Sequence, residues 1–314
     1  DDLRLIPRLE RPDREIFGKG FAQAGDHRQA RERLRANRAR ARELPDAVAL
    51  VAGAEHVTYG ALWRRSRSYT HVVREQGIGV EDRVGLLLPR SVDLLAAILG
   101  VHGAGAAYVP LNKEAPVPHI ASCCETAGVR LIVADEHTMA IAVQAGRTLV
   151  VDDDEMERLA DDDGSDADVQ PGQAAYVLFT SGSTGTPKGV VVTQGGLAHL
   201  TAALETSVYA PLEQARGGKV TTVGWNAPVF FDASVKQLIQ VANGRRLVVL
   251  SDDERRDPGL FLRAMRRCRV DAVDGTPTLV RHLLRFSTRE APQAGVSIAP
   301  ATACGGGATG CWSS

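Results

Sequence analysis

The chain has 314 residues, 44% of them hydrophobic, which is enough for a sizeable core and for two domains. Its 37 Lys and Arg against 38 Asp and Glu leave a formal net charge of −1, so no global field drives it to nucleic acid or an anionic membrane. No apolar run reaches the length of a membrane span, and the first residues are charged rather than signal-like.

Residues 1–44 are rich in arginine, with Arg28, Arg31, Arg33, Arg35, Arg38, Arg40 and Arg42 inside fifteen positions. A basic run can bind nucleic acid, but no aromatic residues interleave here, which favours a solvated linker or helix face. From Pro45 the pattern becomes orderly. Pro45 to Val51 reads as a strand, and His56 to Leu62 as a turn into a helix ending near Gln76. Val84 to Leu88 is a strand closed by Pro89, and Leu94 to His102 is apolar nearly all round, as a buried helix should be. The small residues from Gly103 to Ala107 suit close helix–strand packing. A helix from about Pro118 to Ala127, strands Leu131 to Ala134 and Thr148 to Val151, and a helix between them continue the alternation. Such alternation predicts an α/β fold of mainly parallel sheets flanked by helices.

Ten carboxylates lie between Asp152 and Asp168. They lack the Asp/Asn/Gly spacing of a calcium loop and read as a hydrated surface segment. Five cysteines, none in a CxxC pair, fit reduced thiols in a cytoplasmic protein. The eight histidines show no metal-ligand spacing.

The most informative stretch is Tyr176 to Leu197. An apolar strand (Tyr176 to Phe179) empties into Thr180-Ser181-Gly182-Ser183-Thr184-Gly185-Thr186-Pro187-Lys188-Gly189, and the chain turns apolar again at Val190 to Val192. Small residues let the backbone curl so that several N–H groups point into one concavity. Hydroxyls add donors, and Lys188 adds a full positive charge. These are the parts needed to hold a polyphosphate. A flexible linker has no need to sit between two apolar strands. A Walker-type P-loop needs Gly directly before its Lys and Ser or Thr directly after, whereas Pro187 and Gly189 stand there.

The ten residues from Thr180 to Gly189 resemble the phosphate-binding signature of the adenylate-forming AMP-dependent synthetase/ligase superfamily. With Ser183 they resemble in particular the amino-acid-adenylation domains of nonribosomal peptide synthetases. His56 to Leu62 and Gly103 to Leu111 are similar to that family's first two core motifs. The resemblance implies that Thr180, Ser181, Gly182, Ser183, Thr184, Gly185 and Lys188 bind ATP, with Lys188 and Thr184 acting on the charge that migrates during reaction. Gln194 departs from the histidine usual in the family.

Beyond the loop, a helix starts near Leu197, and Val220 to Val223 is a strand. Phe231-Asp232-Ala233-Ser234 is similar to the end of the family's fourth core motif, which gives Asp232 the role of holding the substrate's α-ammonium. A carboxylate beside two aromatic rings attracts an ammonium more strongly than it would in water. Asp232 also stands where it could cap a helix from Ala233 to Ala242. Ala233, Lys236 and Asp274 fall on family positions that line the amino-acid pocket. A lysine in a closed pocket requires an anion. The set Asp232, Ala233, Lys236 and Asp274 therefore resembles pockets that select glutamate, with glutamine next. Two local readings stay open: Lys236 could pair with Asp232 four residues earlier on one helix, or with Asp274. Strands Arg246 to Leu250 and Val270 to Val273 alternate with helices Pro258 to Arg267 and Pro277 to about Phe286.

After about Val296 the family's Gly-Gly-Glu turn and the adenine and metal segment are expected, and Ala301 to Trp312 reads differently. Gly305 to Gly310 formally matches GxGxxG, with no strand before it and no room for a helix after it. The composition suggests a shifted reading frame. The expected organisation is residues 1–44 as a linker or inter-module junction, 45–296 as the incomplete large N-terminal subdomain, and 297–314 as a tail outside the family pattern. The implied activity is AMP-forming activation of an amino acid, best glutamate, for loading onto a carrier-protein thiol, with little turnover by this polypeptide alone. It implies ATP and Mg2+, phosphopantetheine on a separate carrier domain, and no nucleic-acid or membrane partner. A ligase for fatty or aryl acids, or a non-catalytic remnant, are the alternatives.

Overall fold

The computed structural model describes residues 3–5, 36–151, 156, 166–180, 187–290, 297–300 and 309–313. The chain forms two compact units, one of residues 1–38 and 61–199, the other of 39–60 and 200–314. In chain order the strands are β1 (Leu3–Leu5), β2 (Val48–Ala52), β3 (Glu55–Thr58), β4 (Arg83–Leu87), β5 (Ala107–Pro110), β6 (Leu131–Ala134) and β7 (Thr148–Val150). They continue as β8 (Ala174–Thr180), β9 (Lys188–Thr193), β10 (Thr222–Trp225), β11 (Arg246–Val249), β12 (Ala272–Asp274), β13 (Ser297–Pro300) and β14 (Thr309–Ser313). Helices α1 to α5 span Ala36–Glu43, Tyr59–Glu75, Val92–Gly103, Val117–Ala127 and Met139–Ala145. Helices α6 to α11 span Gln194–Leu204, Ala210–Ala215, Asp232–Leu238, Asp252–Arg256, Pro258–Arg267 and Pro277–Glu290.

The first unit is built on a seven-stranded sheet in the order β1-β9-β8-β5-β4-β6-β7. Strands β8, β5, β4, β6 and β7 run parallel, and β9 and β1 add on antiparallel. Strands β5 and β6 are buried along their whole length, as parallel strands covered on both faces must be. Helix α3 is capped by Ser91, whose Oγ accepts from the Leu94 N–H, and nine of its twelve residues are buried. At its end His102 is half-buried and donates from Nε2 to the Ala175 carbonyl on β8 at 2.9 Å. A carbonyl only accepts, so Nε2 carries the proton. Burial lowers the affinity of His102 for a second proton, against the pull of that carbonyl. The ring sits 5.5 Å from Tyr108, which in turn lies 5.5 Å from Tyr176. These contacts fix α3 and β5 against β8, the strand that ends at Thr180.

The second unit carries a sheet in the order β13-β14-β12-β10-β11-β2-β3, parallel from β12 to β2. Two features differ from the sequence expectation. His56 to Thr58 belongs to strand β3, antiparallel to β2, instead of a turn. It is an edge strand with Glu55 and His56 exposed, so its alternation is weak. The helix expected over Ala233 to Ala242 stops at Leu238 and resumes as one 3-10 turn, Val241–Asn243, closed by Gly244 at φ +83°. Thr309–Ser313, in the segment where the family pattern is expected to end, lies between β12 and β13 in the sheet.

Arg245 is the polar anchor of this unit. It is 2% exposed, and its guanidinium makes bidentate bonds to Glu205 (2.6 and 3.0 Å) and Glu213 (2.9 and 3.0 Å). Between those acids lies a π-helical turn, Glu205–Tyr209, and the Tyr209 ring lies 4.5 Å from the guanidinium carbon. Tyr59 Oη donates to the carbonyls of Val241 and Arg245.

Candidate functional site

In the first unit, β8 and β9 form an antiparallel hairpin whose ladder ends with Phe179 opposite Gly189 and Thr180 opposite Lys188. Gly189 leaves room for the facing aromatic: a Cβ there would lie 3.4 Å from the Phe179 ring and 3.2 Å from Val177. The last rung places exposed Thr180 and exposed Lys188 directly across from each other at the mouth, with Pro187 buried just before the lysine. Ser181, Gly182, Ser183, Thr184 and Gly185 lie outside the described residues. At the other end of the hairpin the Gln194 N–H donates to the Gln173 carbonyl at 2.8 Å, closing its base. Gln194 is fully buried and its Oε1 has no hydrogen-bond partner.

In the second unit, Asp232 opens α8, and Phe231, extended at φ −109° and ψ 144°, occupies the cap position without a side-chain bond. The capping role is therefore not taken by Asp232, which is exposed and follows the tilted ring pair of Phe230 and Phe231 (centroids 5.0 Å apart). One turn on, Lys236 Nζ lies 3.7 Å from Oδ2 of Asp274 at the end of β12. Of the two partners open to Lys236, Asp274 is the one it meets. At 3.7 Å this is an ion pair beyond direct hydrogen-bond reach, and Asp274 Oδ2 has no hydrogen-bond partner. Asp274 is 9% exposed, and burial raises its pKa. Lys236 and the Gly275 N–H oppose that rise without cancelling it, and the charge of Asp232 adds to it. Ala233, between the acid and the lysine, is half-buried and contributes space rather than chemistry. Asp232, Lys236 and Asp274 thus form one electrostatic group.

Gln237 and Ser234 brace α8, and neither is among the site residues expected from the sequence. Gln237 is buried on α8, and its Oε1 accepts from the N–H groups of Asn226 (3.2 Å) and Ala227 (3.1 Å). Its Nε2 donates to Asn226 Oδ1 at 2.7 Å. Ser234 Oγ bonds the carbonyls of Val229 and Phe231. The available signal was a glutamine on the apolar side of a short helix, since a buried amide must find partners.

Among the described residues no group of three or more His, Cys, Asp or Glu is placed to hold a metal ion, and no helix is long and apolar enough to cross a membrane. Cys123, Cys124 and Cys268 are free thiols. Burial pushes the Cys123 thiol up to about 11, which makes it a poor nucleophile.

The sequence pattern of the AMP-binding enzyme family matches residues 37–310. The AMB antimetabolite synthetase AmbE of Pseudomonas aeruginosa is 32% identical over 248 residues, covering 79% of this chain and 11% of AmbE. Surfactin synthase subunit 1 of Bacillus subtilis is 28% identical over 284 residues, 90% of this chain and 8% of that protein. The chain thus spans about a tenth of the length of these relatives. The crystal structure of the nonribosomal peptide synthetase FmoA3 superposes with a TM-score of 0.72 at 26% identity, over 82% of this chain and 27% of FmoA3. The AMPPNP-bound form of FmoA3 superposes with a TM-score of 0.68 at 25% identity, over 83% of this chain and 27% of that one. Pattern, relatives and fold agree, and the chain belongs to the AMP-binding enzyme family, where it corresponds to the N-terminal part of a nonribosomal peptide synthetase adenylation domain.

Proposed function

We propose that the chain binds ATP and an amino acid, best glutamate, and serves the formation of an aminoacyl-adenylate destined for a carrier-protein thiol. The observation that carries the amino-acid reading is Asp232: an exposed carboxylate, uninvolved in capping, that stands beside two aromatic rings and forms no ion pair with the lysine one turn away. A free carboxylate in that company suits a substrate ammonium, for which a fatty or aryl acid has no counterpart. Glutamate would then place its side-chain carboxylate against Lys236. The neighbouring Asp274, whose proton affinity burial raises, faces the same lysine and would share it with the substrate carboxylate. Glutamine is the second reading, favoured by the unpartnered Asp274 Oδ2, which would accept from a side-chain amide while Lys236 donates to its oxygen.

At the other end of the reaction, Lys188 and Thr180 at the hairpin mouth, together with Ser181 to Gly185, would take the β- and γ-phosphates. A positioned cation and hydroxyls, Thr184 among them, would stabilise negative charge as pyrophosphate leaves, the form of help that dominates phosphoryl chemistry. Mg2+ would enter with ATP, and phosphopantetheine with a separate carrier protein.

The test is amino-acid-dependent exchange of labelled pyrophosphate into ATP, run over all twenty amino acids, with calorimetric binding of AMPPNP and glutamate in parallel. Exchange or binding led by glutamate, and a loss of about 10²-fold in exchange for Lys188→Ala, is the expected result. Lys236→Ala should erase the preference for glutamate. Response only to acids without an α-ammonium would overturn the reading.

A further inference from the structure

We propose that Gln237 is a positioning residue for the amino-acid end of this site, acting through the turn of residues 226–231. The proposal rests on the amino-acid-binding reading above and goes beyond it. Strand β10 ends at Trp225, and α8 begins at Asp232, so six residues carry the chain from the sheet to the helix that presents Asp232 and Lys236. A turn of this length between buried elements has polar backbone groups that must be satisfied. Gln237 satisfies two of them with one oxygen, the N–H groups of Asn226 and Ala227. Those two donors fix the orientation of its amide, and Nε2 is then directed at Asn226 Oδ1, 2.7 Å away. The Asn226 carbonyl is taken by Arg255 Nε, and the Ala227 carbonyl by the indole N–H of buried Trp225 at 3.1 Å. The start of the turn is therefore bound to α8 at the position next to Lys236.

The consequence is a rigid bracket. Gln237 is 1% exposed and follows Lys236 directly, so its three bonds fix the rotation of α8 about its axis. That rotation sets where Lys236 meets Asp274 and where Asp232 points. Site residues held by locked neighbours keep the narrow geometry that recognition requires. Removing the bracket should loosen amino-acid recognition while leaving the ATP hairpin, which lies in the other unit, unaffected.

The experiment compares wild type, Gln237→Leu and Gln237→Glu. Leucine fills the space with no acceptor, whereas glutamate keeps the acceptor for both N–H groups. Hydrogen exchange reads the bracket directly, and calorimetry with glutamate and with AMPPNP reads its effect. In Gln237→Leu the amides of Asn226 and Ala227 should exchange at least about 10-fold faster, with β10 amides unchanged, and glutamate should bind about 10-fold more weakly at unaltered AMPPNP affinity. Gln237→Glu, which keeps the acceptor but loses the donor to Asn226 Oδ1, should restore both in part. Unchanged exchange at Asn226 and Ala227, or faster exchange with intact glutamate affinity, would overturn the proposal. So would equal loss of glutamate and AMPPNP binding, the mark of general destabilisation. Should Gln237→Leu fail to fold, Asn226→Ala, which removes the Nε2 contact and keeps both backbone N–H bonds to Gln237 Oε1, supplies a milder variant with the same expected directions. A wild type that binds AMPPNP but no amino acid would overturn the amino-acid reading instead, while the exchange rates still decide whether the bracket exists.

Discussion

Asp274 and Arg245 show two outcomes of burying charge in the same unit. Asp274 has one cation at 3.7 Å and an oxygen without a hydrogen bond, so desolvation dominates and its affinity for a proton rises. A carboxyl raised in this way contributes stability fully below its unfolded pKa of about 3.9, and loses it as pH climbs through the raised value. At neutral pH the ionised group is a cost. Asp274→Asn should therefore melt higher than wild type near pH 7, with the gap closing toward about pH 4 in a series of calorimetric scans. A gap independent of pH would show that the Lys236 contact governs instead. Arg245 is the opposite case. Burial pushes the Glu213 carboxyl up, but the bonds from Arg245 and the Thr221 N–H outweigh it and hold it below its ordinary value. Glu213 thus adds stability above the usual carboxylate pKa and loses it as acid reaches the depressed one. Arg245→Ala strands two acids at once. Because Glu205 is more than a third exposed and is screened by water, the expected cost is about 3 kcal/mol, the low end for breaking a buried pair. Urea titration would measure it.

At the scale of elements, the close approach of α2 and α3 depends on one small residue. A Cβ on Gly100 would lie 2.4 Å from Tyr69 Cβ and 2.8 Å from the Ser66 carbonyl oxygen, both set by the α2 backbone. Neither atom is the free end of a side chain, so Gly100→Ala must push the helices apart. A loss of about 1–3 kcal/mol is expected from chemical denaturation, despite the better helix propensity of alanine. The apolar character of α3 was plain in the sequence, whereas which glycine the neighbouring helix abuts was not, since that depends on register between distant segments. The same division holds elsewhere. The run Tyr176 to Val192 reads as two apolar strands flanking a segment of hydroxyls and glycines, whereas their antiparallel pairing required the fold. Strand β3 was hidden because only Val57 of its four residues is buried. Helix α9 has the Ser251 and Glu254 capping box, legible as Ser-x-x-Glu, yet it is five residues long and has no buried residue to give it a period. The candidate residues Asp232, Lys236 and Asp274 come from family likeness, and the pairing of Lys236 with Asp274 required the fold. Gln237 shows how little the sequence says: its place on the apolar side of α8 signals burial, but not which partners it meets.

For the whole molecule, the two units each have their own seven-stranded sheet, and the residues assigned to ATP phosphates and to the amino acid are divided between them. Thr180 and Lys188 belong to the first unit, and Asp232, Lys236 and Asp274 to the second. A ligand that binds only the native state slows exchange most where its own contacts hold the backbone, and stabilises the fold by about 2.7 kcal/mol at a hundredfold excess over its Kd. AMPPNP supplied alone should then protect the β8 and β9 amides next to the hairpin mouth and leave α8 at its free rate. Glutamate supplied alone should protect α8 and the end of β12, with β8 and β9 unchanged. If phosphate contacts arose from the basic surface at large, protection by AMPPNP would spread over exposed arginine-bearing helices such as α10 and fade with added salt, since exposed charge is screened within about 10 Å at 0.1 M. Contacts made by a closed loop of backbone N–H groups and one lysine would keep their protection under the same salt. Comparing exchange at low and moderate ionic strength therefore separates a built phosphate site from diffuse attraction, in a measurement that does not depend on turnover.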